Sequence, residues 1–121
     1  MIEVLSGFPD NVLAFACRGH VTRQDYESVL IPAVNQAFEQ HGSLRLYYEI
    51  GSDFEGVDAS AVWEDVMVGV EHLRQWERMA IVTDTGWIAH TLKIFRFLIP
   101  GKVRVFPTDE AQMARDWIVT D

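Results

Sequence analysis

The chain has 121 residues, which is enough for one domain with a hydrophobic core of its own. Hydrophobic residues make up 49% of it and aromatic residues 12%, so the composition excludes intrinsic disorder. The 18 acidic residues outnumber the 10 lysines and arginines and give a net charge of -8. This balance argues against a nucleic-acid partner, because a phosphate backbone requires a basic face.

The cellular location is predicted from the amino-terminal residues and from the apolar stretches. The first ten residues carry two acids, Glu3 and Asp10, and no lysine or arginine, which does not fit a secretory signal peptide. No apolar stretch reaches the roughly 20 residues that a membrane-spanning helix needs. The single Cys17 cannot form an internal disulfide, and its apolar neighbours predict a buried structural thiol. We therefore expect a soluble, cytoplasmic protein.

The chain opens with a predicted β-hairpin and continues into a helix. Residues 1–8 and 12–18 are short apolar runs, and the Pro-Asp-Asn sequence between them is typical of a turn. Thr22 is a suitable helix N-cap, and Asp25 completes a weaker version of a capping box. The apolar residues at helical spacing are Tyr26, Val29, Leu30, Ala33, Ala37 and Phe38.

Two residues of this helix predict irregularity. Pro32 is expected to kink or break it, because proline lacks the backbone donor and clashes with the preceding turn. Gly42 is expected to end it.

Three further strands alternate with helices. Leu44–Ile50 is the third strand, and a loop rich in Gly, Ser and Asp follows over residues 51–58. Residues 78–83 are the fourth strand, whose apolar centre is typical of a strand covered by helices on both faces. Lys102–Phe106 alternates polar and apolar residues, which predicts a half-buried edge strand. The order ββαβαβαβα predicts a single α/β domain in which helices pack on a mixed β-sheet of four to five strands.

Two of the later helices have recognisable starts. Asp58 or Ser60 is a suitable N-cap for a second helix over residues 62–73, and the Pro-Thr-Asp sequence of residues 107–109 begins the last helix. The residues predicted to face inward are Val62, Trp63, Val66, Val70 and Leu73 in the second helix and Ala111, Ala114, Trp117 and Ile118 in the last.

Residues 85–108 contain no acidic residue, although the chain is acidic overall. The basic residues of this segment are Lys93, Arg96, Lys102 and Arg104. The stretch directly before it, residues 49–84, is rich in acids and has Arg74 and Arg78 as its only lysine or arginine residues. The asymmetry indicates either two solvated faces of opposite charge or a charge match within or between subunits.

Residues 87–99 are predicted to form an amphipathic helix, the acid-free helix. Lys93 and Arg96 lie opposite a wide apolar arc, and Phe97 falls among the polar residues. The pattern fits a helix packed on a sheet and equally a helix that lies on a membrane surface. The arc consists of Trp87, Ile88, Thr91, Leu92, Ile94, Phe95, Leu98 and Ile99.

Several different short motifs are spread along nearly the whole chain. Each alone is weak evidence for a family, but their joint order is specific. They are Gly19-His20-Val21-Thr22, Asp25-Tyr26, Pro32, Phe54-Glu55-Gly56, Trp76-Glu77-Arg78-Met79-Ala80, Asp84, Trp87, Val103-Arg104-Val105-Phe106 and Ala114-Arg115-Asp116-Trp117. In these motifs the chain resembles the SpoIIAA-like family of the STAS superfamily. The resemblance implies a small α/β domain with a central sheet, similar to the core of the CRAL-TRIO lipid-binding domains, although fold does not determine function.

The resemblance also raises the question of a phosphorylation switch. The better-known relatives are anti-sigma factor antagonists, which are phosphorylated on the serine of an Asp-Ser-Gly-like turn at the start of the second helix. In this chain neither Ser52 nor Ser60 is followed by that glycine, and Asp53, Glu55 and Asp58 would repel a phosphate. Capping of the second helix is therefore preferred to phosphorylation.

The residues do not form a recognisable catalytic set. The four histidines are widely spaced and there is no cysteine pair, so no metal site is predicted. Glu64, Asp65 and Glu71 are interpreted as a solvated acidic face rather than as paired catalytic carboxylates. No glycine-rich phosphate loop is present. We therefore expect no cofactor and no enzymatic activity, and an enzyme with its site in residues 51–58 remains a third hypothesis.

The leading functional hypothesis is a non-catalytic module that binds an apolar or lipid-like ligand between the second helix and the acid-free helix. The acid-free helix would act as a movable gate that associates reversibly with an anionic membrane surface. The alternative is a protein-interaction module, either a regulator of STAS type or a homodimer through the same helix. The predicted ligand-binding residues are Trp63, Val66, Met67, Val70, Trp87, Thr91, Phe95 and Leu98, and the predicted membrane contacts are Trp87, Lys93, Arg96 and Phe97.

Overall fold

The structure is a computed structural model that describes residues 1–51, 56–57, 75–84, 86 and 102–120. Its strands are β1 (Ile2–Val4), β2 (Val12–Cys17), β3 (His20–Val21), β4 (Leu44–Ile50), β5 (Gly56–Val57), β6 (Trp76–Val82) and β7 (Lys102–Phe106). Within the described residues, five strands form one sheet in the order β1-β2-β4-β6-β7, and β3 pairs with β5. β1 runs antiparallel to β2, whereas β2, β4, β6 and β7 are parallel. The predicted α/β fold with a mixed sheet is confirmed.

Several strands differ from the prediction. β6 begins at Trp76 rather than at residue 78, because Trp76 is buried and pairs with Leu44 ahead of a shift in register between Leu44 and Arg45. β3 and β5 were not predicted, since strands of two residues are too short to show an alternating pattern.

The predicted hairpin is present, with a shorter first strand. The backbone N–H of Val12 donates to the carbonyl of Pro9 at 3.0 Å, which forms the expected turn. β1 ends at Val4, and Gly7 adopts a left-handed conformation with φ of 89° that few other residues tolerate.

Successive side chains of each strand point to opposite faces of the sheet. Face A carries Phe15, Tyr48 and Ile81, which are register partners, and face B carries the residues directly before them. The buried core on face A consists of Ile2, Phe15, Cys17, Val21, Tyr26, Leu30, Val34, Leu44, Tyr48, Ile50, Trp76 and Ile81. The buried core on face B consists of Val12, Ala14, Tyr47, Ala80, Val82, Phe106, Ala114 and Ile118.

Face A is covered in part by a continuous helical segment, in which α1 (Arg23–Asp25) is followed by a π-helical turn (Tyr26–Leu30) and α2 (Ile31–Gln40). The predicted capping box is present. The backbone N–H of Asp25 donates to Thr22 Oγ1 at 3.2 Å, and that of Thr22 donates to Asp25 Oδ2 at 2.8 Å.

Pro32 coincides with a change from π-helix to α-helix and not with a break in the helical segment, and the predicted stop at Gly42 is wrong in its mechanism. Pro32 occupies the first turn of α2, where its missing N–H costs little, and the preceding turn widens to a π-helix. The helix ends at Gln40, and His41 is already extended. Gly42 therefore supplies no left-handed cap.

Face B is covered by the carboxyl-terminal helix α3 (Ala111–Val119), which follows a 3-10 turn at Thr108–Glu110. As predicted, Ala114 and Ile118 are buried there. The second helix and the acid-free helix lie outside the described residues. In the part of the chain that is described, no helix combines the length and apolarity needed to cross a bilayer.

We expect Asp25→Ala to lower the free energy of unfolding by about 1 kcal/mol at neutral pH, because the N-cap interactions are lost. The backbone hydrogen bond from Thr22 is the main cause that lowers the pKa of Asp25 below its ordinary value of 3.8. A carboxylate with a depressed pKa stabilises the fold above the unfolded pKa, and this contribution is lost as the pH falls through the folded pKa. Urea unfolding of both proteins at neutral and acidic pH tests this. A difference that persists after Asp25 is protonated would contradict it.

Candidate functional site

The carboxyl ends of the parallel strands lie along one edge of the sheet, at Cys17, Ile50, Val82 and Phe106. Ligands of open α/β sheets bind outside this edge. Residues 52–55 and 58–74 follow β4, and residues 85 and 87–101 separate β6 from β7, all outside the described part. Within the described residues, the candidate site consists of the strand ends and the side chains beneath them.

A short chain of buried polar groups lies on face A at this edge. Cys17 Sγ donates to Tyr48 Oη at 2.8 Å, and Tyr48 Oη lies 3.3 Å from Tyr26 Oη. The register places Cys17 beside Ile50, so Tyr48 projects from the same face of the adjacent strand, while Tyr26 begins the π-helical turn above it. These contacts satisfy hydroxyl groups that are costly to bury unpaired.

The thiol of Cys17 matches the prediction of a buried structural cysteine. The Tyr48 phenol that it contacts does not activate a thiol as a nearby base or cation would. The contact of Cys17 with Tyr48 was not predicted from the sequence. The available signal was the position of both residues on the inward face of neighbouring strands.

Asp84 lies just beyond the end of β6 and is bound by the turn that follows β7. Its Oδ1 accepts a hydrogen bond from the backbone N–H of Thr108 at 3.0 Å, and its Oδ2 accepts one from the Thr108 hydroxyl. The hydroxyl bond is the larger of the two effects that lower the pKa of Asp84. The carboxylate thus caps the 3-10 turn and joins the end of β6 to the start of α3.

Tyr47 on face B is held by groups of opposite charge. Its hydroxyl donates to Glu49 Oε1 at 3.0 Å, and the Arg115 guanidinium carbon lies 5.4 Å from its ring centroid. Burial raises the pKa of Tyr47, and the hydrogen bond with Arg115 offsets part of the rise. Tyr47 is therefore a neutral hydrogen-bonding group at physiological pH.

Two arginines hold the end of α3 at the opposite edge of the sheet. Arg45 donates to the carbonyls of Ile118 and Thr120 at 2.8 and 2.7 Å. Arg78 donates to the carbonyls of Trp117 and Thr120 at 2.9 and 2.6 Å. The positive charges match the negative end of the helix dipole. This arrangement was missed because it joins residues far apart in the sequence.

The predicted ligand-binding and membrane-contact residues lie outside the described residues, so the structure does not bring them together or separate them. They are Trp63, Val66, Met67, Val70, Trp87, Lys93, Thr91, Phe95, Arg96, Phe97 and Leu98. Among the residues that are described, no group of three His, Cys, Asp or Glu side chains is placed to hold a metal ion.

Comparison with known proteins identifies the family. The sequence profile described as SpoIIAA-like matches residues 12–119, which is most of the chain. The chain belongs to the SpoIIAA-like family. SpoIIAA-like proteins of STAS type are generally non-catalytic, and STAS-type domains often mediate protein–protein interactions.

A solved structure shares the SpoIIAA-like fold. It is an uncharacterized protein of the DUF3478 family from Shewanella loihica PV-4, described as having a SpoIIAA-like fold. The two structures superpose with a TM-score of 0.73 at 24% sequence identity, over 98% of this chain and 92% of the other. At this identity the likeness establishes the fold alone. Among curated proteins, none matches the sequence significantly.

Proposed function

We propose that this SpoIIAA-like protein is a non-catalytic module that binds an apolar or lipid-like ligand. The binding groove would lie between the second helix and the acid-free helix, and the latter would open as a gate and associate reversibly with membranes. The observation that carries the proposal is the apolar surface of face A, which continues past α2 onto the last two strands of the sheet.

The side chains of β6 and β7 on face A are apolar. Met79 is the register partner of Val103, and Ile81 is that of Val105. Ile81 is buried, whereas Met79, Val103 and Val105 are half-buried. Such a surface is suited to form the floor of an apolar groove.

The strand order supports placing both predicted helices above this floor. The connections from β4 to β6 and from β6 to β7 step across the sheet in the same direction as the connection from β2 to β4. The helical segment of that first connection packs on face A. Crossovers between parallel strands are almost always right-handed, so the same direction of step favours the same face.

The expected membrane affinity is low. Burial of one or two large apolar side chains contributes about 1.5–3 kcal/mol each. Lys93 and Arg96 near an anionic leaflet add about 1 kcal/mol each. After the costs of ordering the chain, only weak and reversible association is expected.

Phe97→Asp is expected to reduce cosedimentation with anionic phospholipid vesicles several-fold and to change the free energy of unfolding little, because Phe97 is predicted to face solvent. Met113→Asp is a matched control, since Met113 lies on α3 with 55% of its surface exposed. Met113→Asp adds the same charge on the side of the sheet that α3 covers, away from the proposed groove, and should leave vesicle binding unchanged. If Phe97→Asp unfolds the protein, Phe97 is a core residue and the gate loses its main support.

The protein-interaction alternative is supported by the general role of STAS-type domains. Native mass spectrometry of the protein purified from its host separates the two functions. A stoichiometric lipid or other apolar molecule supports the binding module, whereas a ligand-free dimer supports association through the acid-free helix.

A further inference from the structure

Five of the six described arginines fall into two groups that differ in their partners, and the sixth, Arg115, lies over the rings of Phe8 and Tyr47. One group is paired with carboxylates: Arg18 with Glu3, Arg23 with Glu27 and Arg45 with Glu77. Arg78 and Arg104 form the other group, beside the indole ring of Trp117 on face B, with their guanidinium carbons 5.4 and 5.3 Å from its centroid. No described carboxylate forms an ion pair with either.

The charges of these two arginines are satisfied to different degrees. Arg78 donates to the carbonyls of Trp117 and Thr120 at the end of α3. The negative end of the helix dipole therefore compensates its positive charge. Arg104 is exposed and rests on the rings of Phe106, at 4.8 Å, and Trp117. Aromatic rings orient a guanidinium while leaving its N–H groups accessible at the ring edge.

Lys102 adds a third positive charge to the same surface. It is the register partner of Arg78, and Arg104 follows two residues later on the same face of β7. Like charges directly opposite each other on neighbouring strands are destabilising. Lys102 is exposed, and within the described residues neither it nor Arg104 has an acidic partner, although the chain carries a net charge of -8.

We propose that Lys102, Arg104 and Trp117 form a docking surface for an extended acidic segment of a partner protein. The two cations are about 7 Å apart along the strand, which is the spacing of carboxylates two residues apart in an extended chain. Trp117, with the exposed Met113 one helical turn away, offers apolar contact beside the charges.

The net charge of the protein favours a short acidic partner segment over a long polyanion. A long polyanion would interact with the chain as a whole and be repelled by its net charge of -8, whereas a short acidic segment interacts mainly with charges within a Debye length of about 8–10 Å. The surface lies on face B, opposite the proposed ligand groove, so the two proposals can fail independently.

The test is a titration of the isotopically labelled protein with a capped hexaglutamate peptide, followed by nuclear magnetic resonance. The expected result is a saturable shift of the Trp117 indole N–H signal and of the β7 amide signals, which weakens as salt is added. Arg104→Glu should weaken binding about tenfold. Arg18→Glu is the matched control. Arg18 is an exposed arginine that directly follows β2, and it is already paired with Glu3. Arg18→Glu should change affinity less than twofold.

Four results would overturn the proposal. They are the absence of shifts at millimolar peptide, an equal loss of affinity in Arg18→Glu, equal shifts with inorganic phosphate, and shifts caused by self-association in the absence of peptide. Arg104→Gln guards against a folding defect, since it removes the charge while keeping a long polar side chain. If the proposal holds, Arg104→Gln also weakens peptide binding while the remaining amide signals stay in place.

Discussion

Arg45→Ala is expected to lower the free energy of unfolding by about 3 kcal/mol, at the lower end of the range for breaking a buried ion pair. Arg45 is only 7% exposed, although it is charged. Its guanidinium donates to two carbonyls at the end of α3 and to Glu77 Oε1 at 2.6 and 3.1 Å. The loss stays near the lower end because the Glu77 side chain is 44% exposed and can be hydrated.

Urea unfolding of Arg45→Ala and Arg18→Ala measures this effect against a control. Arg18 forms an ion pair with Glu3 at 3.0 Å, and both side chains are about half exposed. Such a surface pair contributes about 0–1 kcal/mol. Equal losses in the two variants would show that Arg45 does not hold α3 to the sheet. Arg45→Lys should recover only part of the loss, because lysine cannot reproduce the planar set of donors.

Phe15→Ala is expected to lower the free energy of unfolding by about 3–5 kcal/mol, because it removes apolar contacts and leaves a cavity in the face A core. Phe15 is fully buried at the centre of β2, and its ring centroid lies 6.4 Å from that of Tyr48 in an edge-on arrangement. The neighbouring strand and the helical segment above it are expected to limit relaxation into the space.

Thermal or urea unfolding checks this value, with Val4→Ala as the control for loss of an apolar side chain. Val4 is 59% exposed, so its truncation should change stability by less than about 0.5 kcal/mol. Phe15→Leu should cost much less than Phe15→Ala, since most of the volume is kept. A small loss in Phe15→Ala would mean that the face A core is loosely packed.

Local signals in the sequence were reliable guides to the fold. Thr22 and Asp25 lie three residues apart, so the capping box depends only on one helical turn. The alternation in Lys102–Phe106 reports the two environments of an edge strand, and β7 has those bounds and that place in the sheet. Gly42 shows the limit of such signals, because the helix ended without needing its conformational freedom.

The candidate site could be predicted less well. The carboxyl-terminal edge of the sheet follows from the alternation of strands and helices. The contact of Cys17 with Tyr48, by contrast, depends on which residues of β2 and β4 are paired, and a slip of one residue would turn Tyr48 to the other face. The residues proposed to bind ligand remain a prediction.

By itself, the sequence determined the α/β class, the opening hairpin, the edge strand Lys102–Phe106 and the burial of Cys17. It did so because composition and short-range periodicity report local environment. Only the tertiary structure decided that Arg45 meets the carbonyl of Ile118, 73 residues away, and that Arg78 and Arg104 share the ring of Trp117. These contacts require the register of three strands and the docking of α3, and no local pattern specifies the relative position of elements so distant in the chain.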